Sequence, residues 1–249
     1  MRREVQITTP DGTAAATVHL PDGEGPWPGV VMFPDAGGFR ETFREMGDTL
    51  AASGFVTLVP DLYYRNPGWA PFDLATVFED PDERARLGEL MGSLIGDPSR
   101  VIADVHAYVD FLLAQPEVDG AAVGTTGYCM GGWISLTAAG ELGAKVAAAA
   151  SFHGSKLAVE DDPVSPHLAA GRISATVYVA GAEDDDSFTP EQAELLDNAL
   201  TEAGVEHTVE FYPAQHGFAV RDNTTHDAAA EARHWGALGT LYGGTLLKS

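Results

Sequence analysis

Gly29 to Pro34 (GVVMFP) is apolar from end to end, and a strand of that composition has no face for water. Such a run belongs in the interior of a parallel sheet covered on both sides. Phe55 to Pro60 reads the same way, and between the two, Arg40 to Ser53 places Phe43, Met46, Leu50 and Ala51 at helical spacing before Gly54, a residue suited to a left-handed helix stop. Strand, amphipathic helix, strand is the repeating unit of a doubly covered sheet, and the rest of the chain continues it.

Glu4 to Thr9 and Ala14 to Leu20, separated by Pro10 to Gly12, read as a hairpin or two consecutive strands. Asp80 to Asp82 start a helix through Leu94, and Asp97 with Pro98 starts a longer one to Gln115 by the N-cap and first-turn proline rule. Ala121 to Thr126, Val146 to Phe152, Thr176 to Ala180 and His207 to Tyr212 read as strands. Ile134 to Ala139, Pro190 to Ala203 and Asp227 to Leu241 read as helices. Asn66 to Glu79, with Trp69, Phe72 and Phe78 among prolines, reads as an irregular excursion over a site, a pocket wall or lid. The expectation is an α/β fold in one domain over residues 1–249: a mostly parallel sheet with helices on both faces and functional loops at the carboxyl ends of the strands.

The chain has one cysteine, Cys129, in the stretch VGTTGYCMGGW at a strand-to-helix turn. A nucleophile elbow has the form G-x-nucleophile-x-G because residues two positions either side have no room for a side chain. Gly127 and Gly131 stand there; with 28 glycines in 249 residues the coincidence arises about once in eighty. The following helix turns its first N–H groups and positive dipole end toward the sulfur, which favours a thiolate. The plainer reading of a lone cysteine is a small buried hydrophobe, so partners elsewhere decide.

A cysteine nucleophile needs a base, and the base needs a group that fixes its tautomer. Gln215 to Phe218 follows the last strand, and His216 is the only one of eight histidines in a glycine-containing loop there. His153 also follows a strand and is a candidate pocket residue; His19, His106, His167, His207, His226 and His234 show no metal-ligand spacing and read as exposed or locally hydrogen-bonded. The acid is expected in GAEDDD, after the strand Thr176 to Ala180, where spacing alone leaves Asp184, Asp185 and Asp186 open. Nucleophile, acid and base thus come in the order of the α/β-hydrolase arrangement.

Fourteen basic against 37 acidic residues give a formal charge of -23, which argues against nucleic acid and anionic membrane surfaces as partners. One cysteine excludes an internal disulfide, and the N-terminus lacks the apolar run of a signal peptide, so a cytoplasmic location is expected. The oligomeric state is open.

GYCMGG around Cys129, PDLYYR from Pro60, the AEDD stretch at Asp185 and HGF from His216 together resemble the dienelactone hydrolase (carboxymethylenebutenolidase) family of α/β-hydrolases over nearly the whole length. The resemblance implies a single α/β-hydrolase domain that cleaves a small ester or lactone through a thioester acyl-enzyme, without metal or organic cofactor. It implies Cys129 as nucleophile, His216 as base and Asp185 as acid, since AEDD is similar to the family's AEND. It places the oxyanion hole at the backbone N–H groups of Met130 and Ala36. It also implies substrate-binding roles for Asp35, where the family often has a glutamate that acts on the cysteine, and for Arg86 in DERAR, which matches an arginine that holds the dienelactone carboxylate. The family's second arginine is displaced, with Val220 in its place and Arg221 beside it, and Leu87 to Leu90 stand where well-studied members have aromatics. Two rivals follow from these departures: a non-catalytic hydrolase-fold ligand-binding protein, and a promiscuous carboxylesterase or thioesterase using the same triad.

Overall fold

The computed structural model describes residues 1–77 and 79–247; Phe78, one of the aromatics of the expected excursion, lies outside them. An eight-stranded sheet runs β1 (Arg2–Thr9), β2 (Gly12–His19), β3 (Trp27–Phe33), β4 (Val56–Pro60), β5 (Val118–Tyr128), β6 (Val146–Phe152), β7 (Thr176–Asp184) and β8 (His207–Gln215) along the chain. In space the order is β1-β2-β4-β3-β5-β6-β7-β8. The first hairpin is antiparallel and joins β4 antiparallel; all other neighbours are parallel. From β3 the chain steps to β4 on one side, then crosses back to β5 on the other. The crevice at the carboxyl ends of β3 and β5 is therefore the topological switch point where ligands bind in such sheets.

Among the described residues six α-helices cover the sheet: α1 (Glu41–Ala52), α2 (Pro81–Ile95), α3 (Pro98–Leu113), α4 (Met130–Leu142), α5 (Pro190–Glu202) and α6 (Ala228–Thr245). α4 is buried along nearly its whole length, packed on β5 and β6 beneath α3, as its lack of charged residues before Glu141 requires. α1 is amphipathic as expected and ends before Gly54, whose φ of +94° completes the stop. α2 begins as read, with the Asp80 carboxylate accepting from the Asp82 and Glu83 N–H groups. α3 also begins at its proline, but Asp97 does not cap the backbone; its carboxylate accepts from the Ser99 hydroxyl instead. None of the described helices is long and apolar enough to cross a membrane.

Strands β5, β7 and β8 run further than their apolar cores, because backbone pairing continues through polar residues to Tyr128↔Phe152 and Asp184↔Gln215. The expected excursion holds no regular element at its described residues; Phe72, Leu74 and Val77 bury themselves in the core. Two histidines depart from the expectation of exposed or local partners. His19 is buried against Asp48 at 2.7 Å, and His234 is buried with Nε2 2.7 Å from the Tyr128 hydroxyl, 106 residues away. Burial pushes His234 down to about 3, so it is a neutral prop under the residue that precedes Cys129.

Candidate active site

Cys129 sits between β5 and α4 with φ 55° and ψ -119°, a conformation that strains any residue with a side chain. The surrounding main chain enforces it. A Cβ on Gly127 would lie 1.8 Å from the Gly131 carbonyl oxygen, and one on Gly131 would lie 2.2 Å from that of Phe33. The Cys129 N–H donates to the Phe152 carbonyl at 3.1 Å and its own carbonyl accepts from Gly132 at 3.0 Å. The elbow is thus held by backbone-to-backbone contact, and the thiol stands half-buried at the start of α4.

β8 ends at Gln215 and delivers His216 on a turn where Gly217 has φ +94° and no space for a Cβ beside Asn223. β7 ends at Asp184, so Asp185 is the first residue free of the strand. Its carboxylate is 4% exposed and lies 2.7 Å from His216 Nδ1, while Asp184 and Asp186 are exposed. Burial opposes ionisation of Asp185, but hydrogen bonds from His216 and Ser187 outweigh it and hold the carboxyl below its ordinary range. An ionised carboxylate only accepts, so His216 Nδ1 carries the donated proton and Nε2 is left for the thiol. Burial disfavours charged His216, yet the hydrogen bonds to Asp185 and to Cys129 prevail and raise it to about 10.

Ser187 and Ser155 complete this cluster. The Ser187 N–H donates to Asp185 at 2.8 Å, its hydroxyl lies 3.3 Å from His216 Nδ1, and the Ser155 hydroxyl donates to it at 3.0 Å. Neither serine stands in a motif that marks it, so the sequence carries no signal for them.

The loop after β3 holds Ala36. Among the described residues, neither Ala36 nor Met130 donates a backbone hydrogen bond outside the regular elements. The Tyr63 hydroxyl donates to the Ala36 carbonyl at 2.9 Å, which turns that peptide. Trp69 packs against Tyr63 with ring centroids 5.2 Å apart and closes over Gly38, so the excursion braces this loop. Asp35 is buried and fully engaged: Arg40 donates to both its oxygens at 2.6 and 3.0 Å and to both oxygens of Asp222 at 2.7 and 2.8 Å. This clamp ties the β3 loop to the segment following His216. PDLYYR is noted as a motif, but nothing in it marks Tyr63; the Arg40–Asp222 pair, 182 residues apart, has no local signature.

A cavity of about 130 Å³ opens beside the sulfur, lined by Met91 and Ile95 of α2, Cys129, Met130 and Trp133 of α4, and Ser155, Lys156, Asp162 and Val164. A larger concavity of about 1020 Å³ lies at the amino ends of β6, β7 and β8 beside Gly236 and Thr240 of α6. It contains none of the Cys129, Asp185 and His216 cluster, whereas Cys129 lines the smaller one. Arg86 is not among its lining residues; the guanidinium pairs with Glu83 at 2.7 Å and stacks 4.2 Å from the Phe72 ring. Val220 is buried, and Arg221 pairs with Glu231 at 2.8 Å with its side chain 67% exposed. His153 lines nothing open: it is fully buried, 5.2 Å ring to ring from His216, and burial with the charge of His216 keeps it well below the ordinary imidazole range.

The chain is similar to known proteins. A carboxymethylenebutenolidase of a Pseudomonas species is 30% identical over 210 residues, covering 84% of this chain and 80% of its own. A relative from a Synechocystis species is 27% identical over 253 residues, covering 95% and 94%. The crystal structure of a dienelactone hydrolase-like promiscuous phosphotriesterase from metagenomic libraries superposes with a TM-score of 0.81 at 29% identity, covering 98% of both chains. The profile of the Dienelactone hydrolase family matches residues 14–243, a span that runs from β2 almost to the end of α6 and takes in every residue of the cluster just described. On that match, and on a sheet and helix order shared with solved relatives, this chain belongs to the dienelactone hydrolase family of α/β-hydrolases.

Proposed function

We propose that the protein hydrolyses a small ester or lactone through Cys129, His216 and Asp185. The observation that carries this reading is the buried Asp185 carboxylate 2.7 Å from His216 Nδ1, with the Cys129 sulfur also favouring the charged ring. The Cys129 thiolate attacks the substrate carbonyl, and the oxyanion forms against the Met130 and Ala36 N–H groups. Collapse breaks the carbon–oxygen bond, and the alkoxide leaves with the Nε2 proton of His216. The thioester remains. His216, now neutral, takes a proton from water as its oxygen attacks the thioester carbon, and the carbon–sulfur bond breaks to release the carboxylic acid and restore the thiolate. Protein and water supply every proton and electron pair. Asp35 and Arg86, held in ion pairs, carry no substrate contact in this reading.

The test is hydrolysis of a short-chain aryl ester and of a dienelactone in parallel by the unmodified protein and by Cys129→Ala. Loss of turnover in the variant, with its circular dichroism unchanged, is expected; unchanged activity would remove the nucleophile. Saturable substrate binding with no acylation burst would leave a ligand-binding protein on a hydrolase fold. The arginines' engagement favours a second outcome, in which the ester is turned over and the carboxylate-bearing lactone is not.

A further inference from the structure

The cavity beside Cys129 has two properties that together name a substrate class. Its wall is apolar: Met91, Ile95, Met130, Trp133 and Val164 supply thioether, aliphatic and indole surface, and methionine adapts its shape to what it meets. Its lining includes one cation, Lys156, and one anion, Asp162, so it offers no net charge to a carboxylate. The nearest guanidinium of the β3 loop, Arg40, is buried between Asp35 and Asp222, which already satisfy it from both sides. A formal charge of -23 adds long-range repulsion of anions.

The cavity also has a side. In the reaction proposed above, the leaving oxygen must face His216 to receive its proton. His216, Asp185 and Ser187 are absent from the cavity lining, which runs instead along Met130 and Trp133 beneath α2. The group that enters is therefore the acyl part of the substrate.

We propose, resting on that hydrolase reading, that this cavity is an acyl pocket for uncharged aliphatic chains, and that the preferred substrates are neutral esters or thioesters of short, unbranched carboxylic acids. A volume of about 130 Å³ holds about four groups of the size of a water or methylene, taking roughly 30 Å³ for each. Each methylene moved from water into such a wall raises kcat/KM about threefold to fourfold.

The experiment is a series of p-nitrophenyl esters from acetyl through butyryl, pentanoyl and hexanoyl to decanoyl, with the monosuccinyl ester as the charged counterpart of pentanoyl. Alongside it run acetate esters of increasing alcohol length. The expected profile rises with acyl length to about pentanoyl or hexanoyl and falls by decanoyl, is flat with alcohol length, and leaves the succinyl ester at least tenfold below pentanoyl. Ile95→Trp fills the pocket and is expected to lower the ratio of pentanoyl to acetyl kcat/KM about tenfold, while Met91→Ala moves the optimum to longer chains. A flat acyl profile, a preference for the succinyl ester, or ratios unmoved in both variants would overturn the acyl pocket while leaving a Cys129-dependent hydrolase standing. Should no ester be turned over, the hydrolase reading fails, and the pocket is decided by nuclear magnetic resonance of the methionine methyl groups during titration with methyl pentanoate. A saturable shift of Met91, lost in Ile95→Trp, supports it, and no shift of Met91 overturns it.

Discussion

Burial alone would hold the His216 imidazole neutral, whereas the Asp185 carboxylate on Nδ1 and the Cys129 sulfur beyond Nε2 together raise it to about 10. Two partners raise it, and the proposed catalytic cycle would remove one of them. In the proposed acyl-enzyme the sulfur would bear no charge, so the histidine would fall back toward the ordinary value and become the base that deacylation needs. Cys129→Ala mimics that state. Titration of the His216 ring by nuclear magnetic resonance is expected to give about 10 in the unmodified protein and a value well toward 6.5 in the variant; an unchanged value would show that the sulfur does not contribute. The sign for stability follows. A group whose folded pKa lies above its unfolded one stabilises fully below about 6.5, and that contribution is lost as pH rises through about 10. In Cys129→Ala the loss comes at lower pH.

At the scale of elements, the site is two loops fastened together. The segment after β3 supplies the Ala36 N–H, the segment after β8 supplies His216, and Arg40 joins them through Asp35 and Asp222. Arg40→Leu strands a buried Asp35 carboxylate, 6% exposed, and is expected to lower unfolding free energy by about 3–5 kcal/mol in urea titration. Asp222→Asn removes the half-exposed end and costs less. A loss under about 1 kcal/mol for Arg40→Leu would mean that the loops hold without the clamp. Much of the scaffold was legible because the central strands are apolar runs between turn residues, and because Gly127, Cys129 and Gly131 allow few backbones. Asp185 could not be told from its neighbours by spacing: the decision turns on β7 continuing through Asp184, which the polar sequence there conceals. Asp35 was noticed at a strand end, but Arg40, which pairs with it, is held on its other side by Asp222, 182 residues further on, and no local pattern encodes that second pairing. Tyr63, Ser155 and Ser187 act through contacts that only the assembled sheet creates.

Across the whole molecule, a formal charge of -23 repels itself in the compact state. Many acidic side chains find partners, as Asp48 does with Arg2 and Asp104 with Arg65, but arginine and lysine together number 14 against 37 acids. Thermal unfolding is therefore expected to move up as sodium chloride rises from about 0.05 to 0.5 M, by about 2–4 °C for each kcal/mol of repulsion screened. A midpoint that falls with salt would show that the ion pairs outweigh the repulsion. The elbow bears on a different question, how such a molecule changes over generations. Its glycines touch main chain, and main chain cannot be mutated away; no replacement elsewhere makes room for a side chain at Gly127 or Gly131. The walls of the neighbouring cavity are side chains on α2 and on the stretch from Ser155 to Val164, each replaceable on its own. Replacements in those walls would reshape the cavity while the elbow that holds Cys129 keeps its place, so what enters the cavity is free to change without moving the sulfur.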